Sequence, residues 1–184
     1  MQASRKALFL DRDGVINIDR KHVHSVAEFQ FQEGIFELCN AAQKLGYLLF
    51  VATNQGGIAR GQYSESQFLE LTEWMVHRFH EQQIRIARVY YCPYHPTQGV
   101  GKYLYDSQDR KPKPGMFLRA RTEFDLDLAS SMLIGDQLSD MAAAQAAGIG
   151  TAILLRPGAA QTGISSDRHY VLDSLQAILT TFFS

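Results

Sequence analysis

Five short apolar runs, separated by stretches of helical periodicity, constrain this chain more than any other feature. Each is too short for a helix and too continuously apolar for a strand with one face in water. Runs of this kind fit strands of a parallel sheet covered by helices on both faces. The first, Ala7-Leu8-Phe9-Leu10, stops at Asp11. Tyr47 to Ala52 is the second and ends at Thr53, and a third begins near Ile86 and is completed by Arg88 to Tyr91. Ser131 to Ile134 is the fourth, ending in Gly135-Asp136, and Thr151 to Leu155 is the fifth.

Helices are predicted between these runs. One spans about Ile35 to Leu45, with Ile35, Leu38 and Ala42 on one stripe and Gly46 as its stop. Ser64 and Gln67 form a capping-box signal that opens a long helix carrying Phe68, Leu71, Met75 and Phe79. Pro114 suits the first turn of a helix to about Phe124, and Ser139 caps an alanine-rich helix that ends at Gly148. A short strand at Tyr170-Val171 and an amphipathic helix from about Ser174 to Phe182 complete the pattern. The expectation is one α/β domain over residues 1–184, an open, doubly wound, mainly parallel, Rossmann-like sheet.

Composition then removes several function classes. With 184 residues, 46% hydrophobic and 20% charged, the chain can bury a substantial core, which excludes global disorder. A net charge of -1 argues against a general nucleic-acid binder. Two cysteines, Cys39 and Cys92, exclude a disulfide scaffold and suit a reducing compartment. Met1 to Arg5 shows no signal-peptide apolar region, and no run approaches the length of a membrane span. A cytoplasmic monomer with a small-molecule substrate, and no nucleic-acid or membrane partner, is expected.

Ligands of such sheets bind beyond the carboxyl ends of the strands. There the chain carries Asp11-Arg12-Asp13-Gly14, Thr53-Asn54-Gln55-Gly56-Gly57, Lys111 just ahead of a helix, and Gly135-Asp136 with Asp140 soon after. Singly, each has a bland reading: an Asx turn, a strand end, a solvated lysine, a helix-entry acid. In this order and on these elements, the four together are hard to explain without chemistry.

The four clusters resemble, in order, the motifs of the haloacid dehalogenase superfamily. The similarity is closer to its histidinol-phosphatase branch, which includes heptose-bisphosphate phosphatases. It is carried by Phe9 through Asn17, Thr53 through Gly61, Tyr90-Tyr91-Cys92-Pro93, Arg110 through Met116, and Gly135-Asp136. The resemblance implies a hydrolase in which Asp11 is the nucleophile that forms an aspartyl-phosphate. Asp13, two residues on and so on the same side of an extended backbone, is then the general acid and base. A carboxylate approaching a phosphate meets repulsion of about 4 kcal/mol per like-charge pair at ~4 Å and a dielectric of ~20, so a cation is required.

The expected cation is Mg²⁺, held by Asp11, Asp136 and the Asp13 backbone carbonyl. Thr53, Asn54 and Lys111 would stabilise the transferring group, and Asp140 would either support the metal or merely occupy a first helical turn. Expected substrate contacts are Asn54, Gln55, Gly56 and Arg110 within the matching motifs, together with Asp19, His22 and Gln137 at places where the sequence differs from the branch. The basic loop Asp19-Arg20-Lys21-His22 either supplies positive charge to the substrate or is a solvated surface.

The gaps between motifs leave no room for a cap domain, so loops near Asp19 to His24, Gly56 to Tyr63 and Cys92 to Arg110 must roof the site. The residue 92–111 loop forms the rim. A small phosphosugar is the implied substrate, foremost the 7-phosphate of a heptose 1,7-bisphosphate in carbohydrate metabolism and lipopolysaccharide-precursor synthesis. Histidinol phosphate is the alternative, and a phosphoryl-binding regulator without turnover is the reading from another class.

The sequence departs from the branch at two places. Its structural zinc takes a Cys-x-His pair and a later Cys-x-Cys pair, but here only Cys92 matches. Tyr94, Ser107 and Asp109 fill the other positions, and His95 is displaced by one. A four-ligand zinc site is therefore not expected, and a rearranged set of Cys92, His95 and Asp109 is the residual alternative. Packing of Tyr94, Tyr103 and Tyr105 is expected to hold the loop instead. Gln137 stands where the heptose-bisphosphate enzymes carry lysine, removing a point charge from the recognition end.

Overall fold

Every residue of the first strand, β1 (Ala7–Leu10), is buried, which is why it reads as an unbroken apolar run. Leu8 and Leu10 enter one core while Ala7 and Phe9 enter another, as the two-residue period of a strand requires. The computed structural model describes residues 5–158 and 169–184. Residues 1–4, read above as part of a stretch lacking an apolar leader, lie outside that range. Among the described residues, no helix is long and apolar enough to cross a membrane.

The remaining elements are α1 (Ile35–Lys44), β2 (Leu48–Asn54), α2 (Gly56–Ala59), α3 (Glu65–Glu81), β3 (Ile86–Cys92), α4 (Gly115–Phe124), β4 (Met132–Gly135), α5 (Leu138–Ala147), β5 (Thr151–Leu155), β6 (His169–Leu172) and α6 (Leu175–Phe182). Among the described residues six strands form one sheet in the order β3-β2-β1-β4-β5-β6, with every pairing parallel. The short strand predicted at Tyr170-Val171 is therefore a full edge strand, paired with β5. Chain progression runs outward from β1 through β2 and β3, then returns to β4 on the other side of β1. The β1–β4 boundary is thus the switch point where a crevice opens.

One core, against α1, α3 and α6, contains Ile35, Leu38, Leu71, Met75, Phe79 and Ile178. The other packs Phe9 and Phe50 beneath Met116 and Phe117 of α4 and the small faces of Ala143 and Ala144 of α5. Phe9 stacks on Phe50 at 5.3 Å and meets Phe117 edge-on at 5.1 Å. Full burial of such a side chain contributes about 1.5–3 kcal/mol, so these layers carry much of the sheet's attachment to its helices.

Three local expectations are corrected. The cap of α5 is Gln137, not Ser139, because the Asp140 carboxylate accepts the Gln137 N–H at 3.0 Å and starts the helix earlier. Pro114 is itself the cap of α4, which begins at Gly115. The long stretch after β3 holds a 3₁₀ turn at Gly101–Tyr103, and a second such turn at Leu128–Ser130 precedes β4.

Candidate active site

Parallel pairing brings the carboxyl ends of β1, β2 and β4 to one rim, so Asp11, Thr53 and Asp136 face a common cleft. Asp11 follows β1 directly, and its N–H donates to the Ile134 carbonyl of β4 at 3.0 Å, which fixes its height at the rim. Lys111 arrives from 57 residues beyond Asn54, and the Asn54 side-chain amide clamps it in place. Asn54 Nδ2 donates to the Lys111 carbonyl at 2.9 Å, and Asn54 Oδ1 accepts the Lys111 N–H at 3.0 Å. The side chain of Asn54 is therefore spent on positioning.

Lys111 is buried. Its ammonium donates to the Ala52 carbonyl at 2.8 Å, pairs with Asp11 Oδ2 at 2.9 Å and pairs with Asp140 Oδ1. Burial opposes the charge, but Asp11 and Asp140 outweigh it and hold Lys111 above its usual range. Burial pushes Asp11 up to about 7, with Lys111 opposing and Asp140 and Asp13 adding to the rise. Burial also raises Asp136. Asp140 thus has a definite place, locked between Lys111 and the start of α5.

The carboxylates of Asp11, Asp136 and Asp140 offer oxygens within 4.8 Å of one another. Three acids against one ammonium leave a formal surplus of two negative charges, which a divalent cation would neutralise, and the donors are hard oxygens of the kind Mg²⁺ takes. The fit between residues and cation is therefore good.

Gly14 makes the approach possible. Its φ is +86°, and a Cβ built there would lie 2.4 Å from Asp136 Oδ2. Gly14→Ala is expected to dislodge Asp136 and to weaken Mg²⁺ binding by at least about tenfold, measured by calorimetry. Undiminished affinity would remove Asp136 from the metal site.

Two adjoining clefts of about 240 and 140 Å³ share Asp13, Asp19 and Asn54. The inner one adds Asp11, Thr53, Lys111, Asp136, Gln137 and Ser139. The outer one is lined by His22, Gly56, Arg60, Tyr63 and Arg110, among others. Asp19, His22, Gly56, Arg110 and Gln137 thus border the same opening.

Gln55 also borders it, yet its side chain is buried and both ends of its amide are engaged. Nε2 donates to Asp13 Oδ2 at 3.1 Å and to Thr53 Oγ1 at 2.9 Å, while Oε1 accepts from the Tyr63 hydroxyl at 2.5 Å. Gln137 turns back to donate to Asp136 Oδ2 at 2.8 Å. A larger hollow of 660 Å³ at the amino ends of the strands, beside Arg5, Tyr47 and Arg85, lacks this convergence of acids.

The sequence reading includes Arg60 in the second motif and Tyr63 in a roofing loop but gives neither a contact of its own. Arg60 follows the four-residue helix α2, too short for any periodicity to reveal. A Cβ built on Gly56 would lie 3.1 Å from Arg60 Nη1 and 3.5 Å from Arg110 Nη1, so both guanidinium groups converge on that glycine. Tyr63 stacks on His24 at 5.3 Å with its ring nearly parallel, joining two of the roofing loops.

In the third roofing loop, Tyr94 lies 6.1 Å from Tyr103 and 5.5 Å from Tyr105, ring to ring, as the packing expectation requires. The Tyr103 hydroxyl donates to Glu65 at 2.8 Å. Cys92 is buried, and burial pushes its thiol up. Asp109 pairs with Arg119 at 2.7 Å. His95 Nδ1 accepts the N–H groups of Thr97 and Gln98 at 3.2 and 3.0 Å.

Comparison with known proteins agrees with this geometry. A HAD-hydrolase-like family model matches residues 108–178. The chain is 51% identical to the D-glycero-beta-D-manno-heptose-1,7-bisphosphate 7-phosphatase of Vibrio cholerae, over 84% of this chain and 83% of that one. It is 52% identical to the D-glycero-alpha-D-manno-heptose-1,7-bisphosphate 7-phosphatase of Burkholderia mallei, over 82% and 79%. Among solved structures, the D,D-heptose 1,7-bisphosphate phosphatase of B. bronchiseptica, complexed with magnesium and phosphate, superposes with a TM-score of 0.79. It is 29% identical, covering 95% of this chain and 96% of that one.

Proposed function

From the premise that the chain belongs to the HAD-like hydrolases, in the family of the heptose-1,7-bisphosphate 7-phosphatases, we propose that it removes the 7-phosphate of a D-glycero-D-manno-heptose 1,7-bisphosphate. The observation that carries the reading is the meeting of Asp11, Asp136 and Asp140 with a buried Lys111 at the sheet's switch point. Asp11 attacks phosphorus, forming a bond from its carboxylate oxygen as the bond to the leaving oxygen breaks. Asp13 gives that oxygen its proton. Water then attacks the aspartyl-phosphate, Asp13 takes the water's proton, and inorganic phosphate departs as the Asp11–phosphorus bond breaks.

Lys111 holds fixed positive charge against the transferring group, and the Thr53 hydroxyl and Asn54 N–H bind its oxygens as charge spreads. Asp11, Asp136 and the Asp13 carbonyl would hold Mg²⁺, which when bound offsets the repulsion between carboxylate and phosphate. Arg110, with Arg60 beside it, offers planar forks to the second phosphate at the outer cleft. Asp19 and His22 border the sugar, and the roofing loops, including 92–111, select it.

The test is phosphate release from both anomers of the bisphosphate, from other sugar phosphates and from histidinol phosphate, with and without Mg²⁺. Preference for a bisphosphate and dependence on the metal are expected. Faster hydrolysis of histidinol phosphate would end the substrate assignment. Gln137→Lys is expected to raise kcat/KM on the bisphosphate by about tenfold while leaving simple monoesters within about twofold, since only the bisphosphate carries the remote charge.

The loop at 92–111 is held by its tyrosine cluster, by the Asp109–Arg119 pair and by the His95 turn rather than by zinc. Stoichiometric zinc by elemental analysis would overturn that reading.

A further inference from the structure

We infer that Arg12 is a positioning residue for the general acid: its buried guanidinium fixes the rotation of the Asp13 carboxylate so that it faces the leaving oxygen. The inference rests on Asp13 being that acid. Arg12 is 1% exposed. Its Nε donates to Asp13 Oδ2 at 3.1 Å, and its Nη2 lies 2.9 Å from both Asp13 oxygens. Nη2 also donates to the Val23 carbonyl at 2.7 Å, so the fork is braced against the first roofing loop.

Two amides complete the cradle, Asn17 Nδ2 on Oδ1 and Gln55 Nε2 on Oδ2, each at 3.1 Å. The backbone builds the same cradle. The Arg12 carbonyl accepts N–H groups from Ile16 at 2.8 Å and Asn17 at 3.1 Å, closing the turn that returns Asn17 to Asp13.

Stability alone does not explain this arginine. A buried ion pair gains little over a well-packed apolar side chain, and here Nη1 is buried without a partner among the described residues. The guanidinium carbon lies 5.5 Å from the Phe68 ring centre, against an apolar face that an apolar side chain such as methionine could also pack on. What methionine lacks is a planar fork able to stop a carboxylate from turning. The Asp13 side chain, 25% exposed, borders both clefts, and among the described residues this shell is what aims it.

The experiment uses single-turnover release of the leaving alcohol, which isolates the step in which Asp13 donates its proton. An alkyl phosphate needs that proton, whereas 4-nitrophenyl phosphate expels a stable phenolate without it. Arg12→Met is expected to slow the alkyl ester by about 100-fold and the nitrophenyl ester by less than about fivefold, with KM little changed, and Arg12→Lys to recover part of the loss. Equal slowing of both esters, or none, overturns the inference. Should Arg12→Met fail to fold, Arg12→Lys is judged by the same ratio.

Asp13→Asn run alongside separates the two claims. If it shows no dependence on the leaving group, the acid assignment falls, and with it this inference. If it is selective and the Arg12 variants are not, only the role of Arg12 falls.

Discussion

Asp11→Asn protein is expected to fold, to melt at or above the temperature of the parent, and to turn over about 10⁶-fold more slowly, the scale of losing a covalent nucleophile. The amide is nearly the same size as the carboxylate and can still accept the Arg12 N–H that Asp11 Oδ1 takes at 2.7 Å. What it lacks is the negative charge proposed to attack phosphorus.

The stability half follows from burial, which pushes Asp11 up from 3.8 to about 7. A carboxyl raised on folding helps the fold most below its unfolded value and loses that contribution as pH rises towards 7. The amide has no such dependence. In metal-free buffer, the melting advantage of Asp11→Asn should therefore grow with pH across that interval and level off above it. A variant with parental turnover would end the covalent mechanism, and one that melts far lower would mean that the carboxylate holds the fold together.

Lys111→Ala should fail in two ways at once. Removing the ammonium leaves Asp11 and Asp140 facing each other underground, with the Ala52 carbonyl stripped of its donor. Breaking a buried pair from one side costs about 3–5 kcal/mol, or a melting temperature lower by roughly 10 °C for a chain of this size. Turnover should fall about 10³-fold through loss of fixed charge in the transition state.

Lys111→Met combined with Asp140→Asn separates these effects. The asparagine can still accept the Gln137 N–H, and one of the two orphaned acids is gone, leaving Asp11 alone without its ammonium. Melting should return part of the way while turnover stays low. Recovery of both would make the lysine a purely structural residue, and a single Lys111→Ala variant that melts with the parent would show that the buried pair contributes nothing.

The sheet was legible because its central strands are sealed on both faces. Ala7–Leu10 and Met132–Gly135 could be read as strands from apolarity alone, and the polar residues closing them marked the rim. The placing of Asp11, Thr53 and Asp136 at one rim was legible for the same reason, since parallel direction sends every strand's carboxyl end the same way, whereas Lys111 is brought there from a loop by the Asn54 amide.

Features made by single long-range hydrogen bonds were not legible. Gln55 lines the outer cleft where substrate contact is expected, but no local pattern shows that the Tyr63 hydroxyl and the Asp13 carboxylate engage its amide. Ser139 had the chemistry of a cap, but Asp140 supplied the acceptor and began α5 earlier. Arg12 lay between two aspartates as a mere connector, because burial of an arginine leaves no trace in local pattern. The place of Arg60 at the cleft was hidden by the brevity of α2.

The Asn54 amide, holding both the N–H and the carbonyl of Lys111, has a consequence for how such an enzyme can change. It moors Lys111, the lysine proposed to act in catalysis, to β2 through contacts that no residue between Cys92 and Arg110 supplies. That span can gain or lose residues, or exchange one means of self-support for another, without shifting the ammonium at the reacting centre. Selectivity and catalysis are thereby separable in heredity: new substrates can be tried on the outside while the engine within stays tuned.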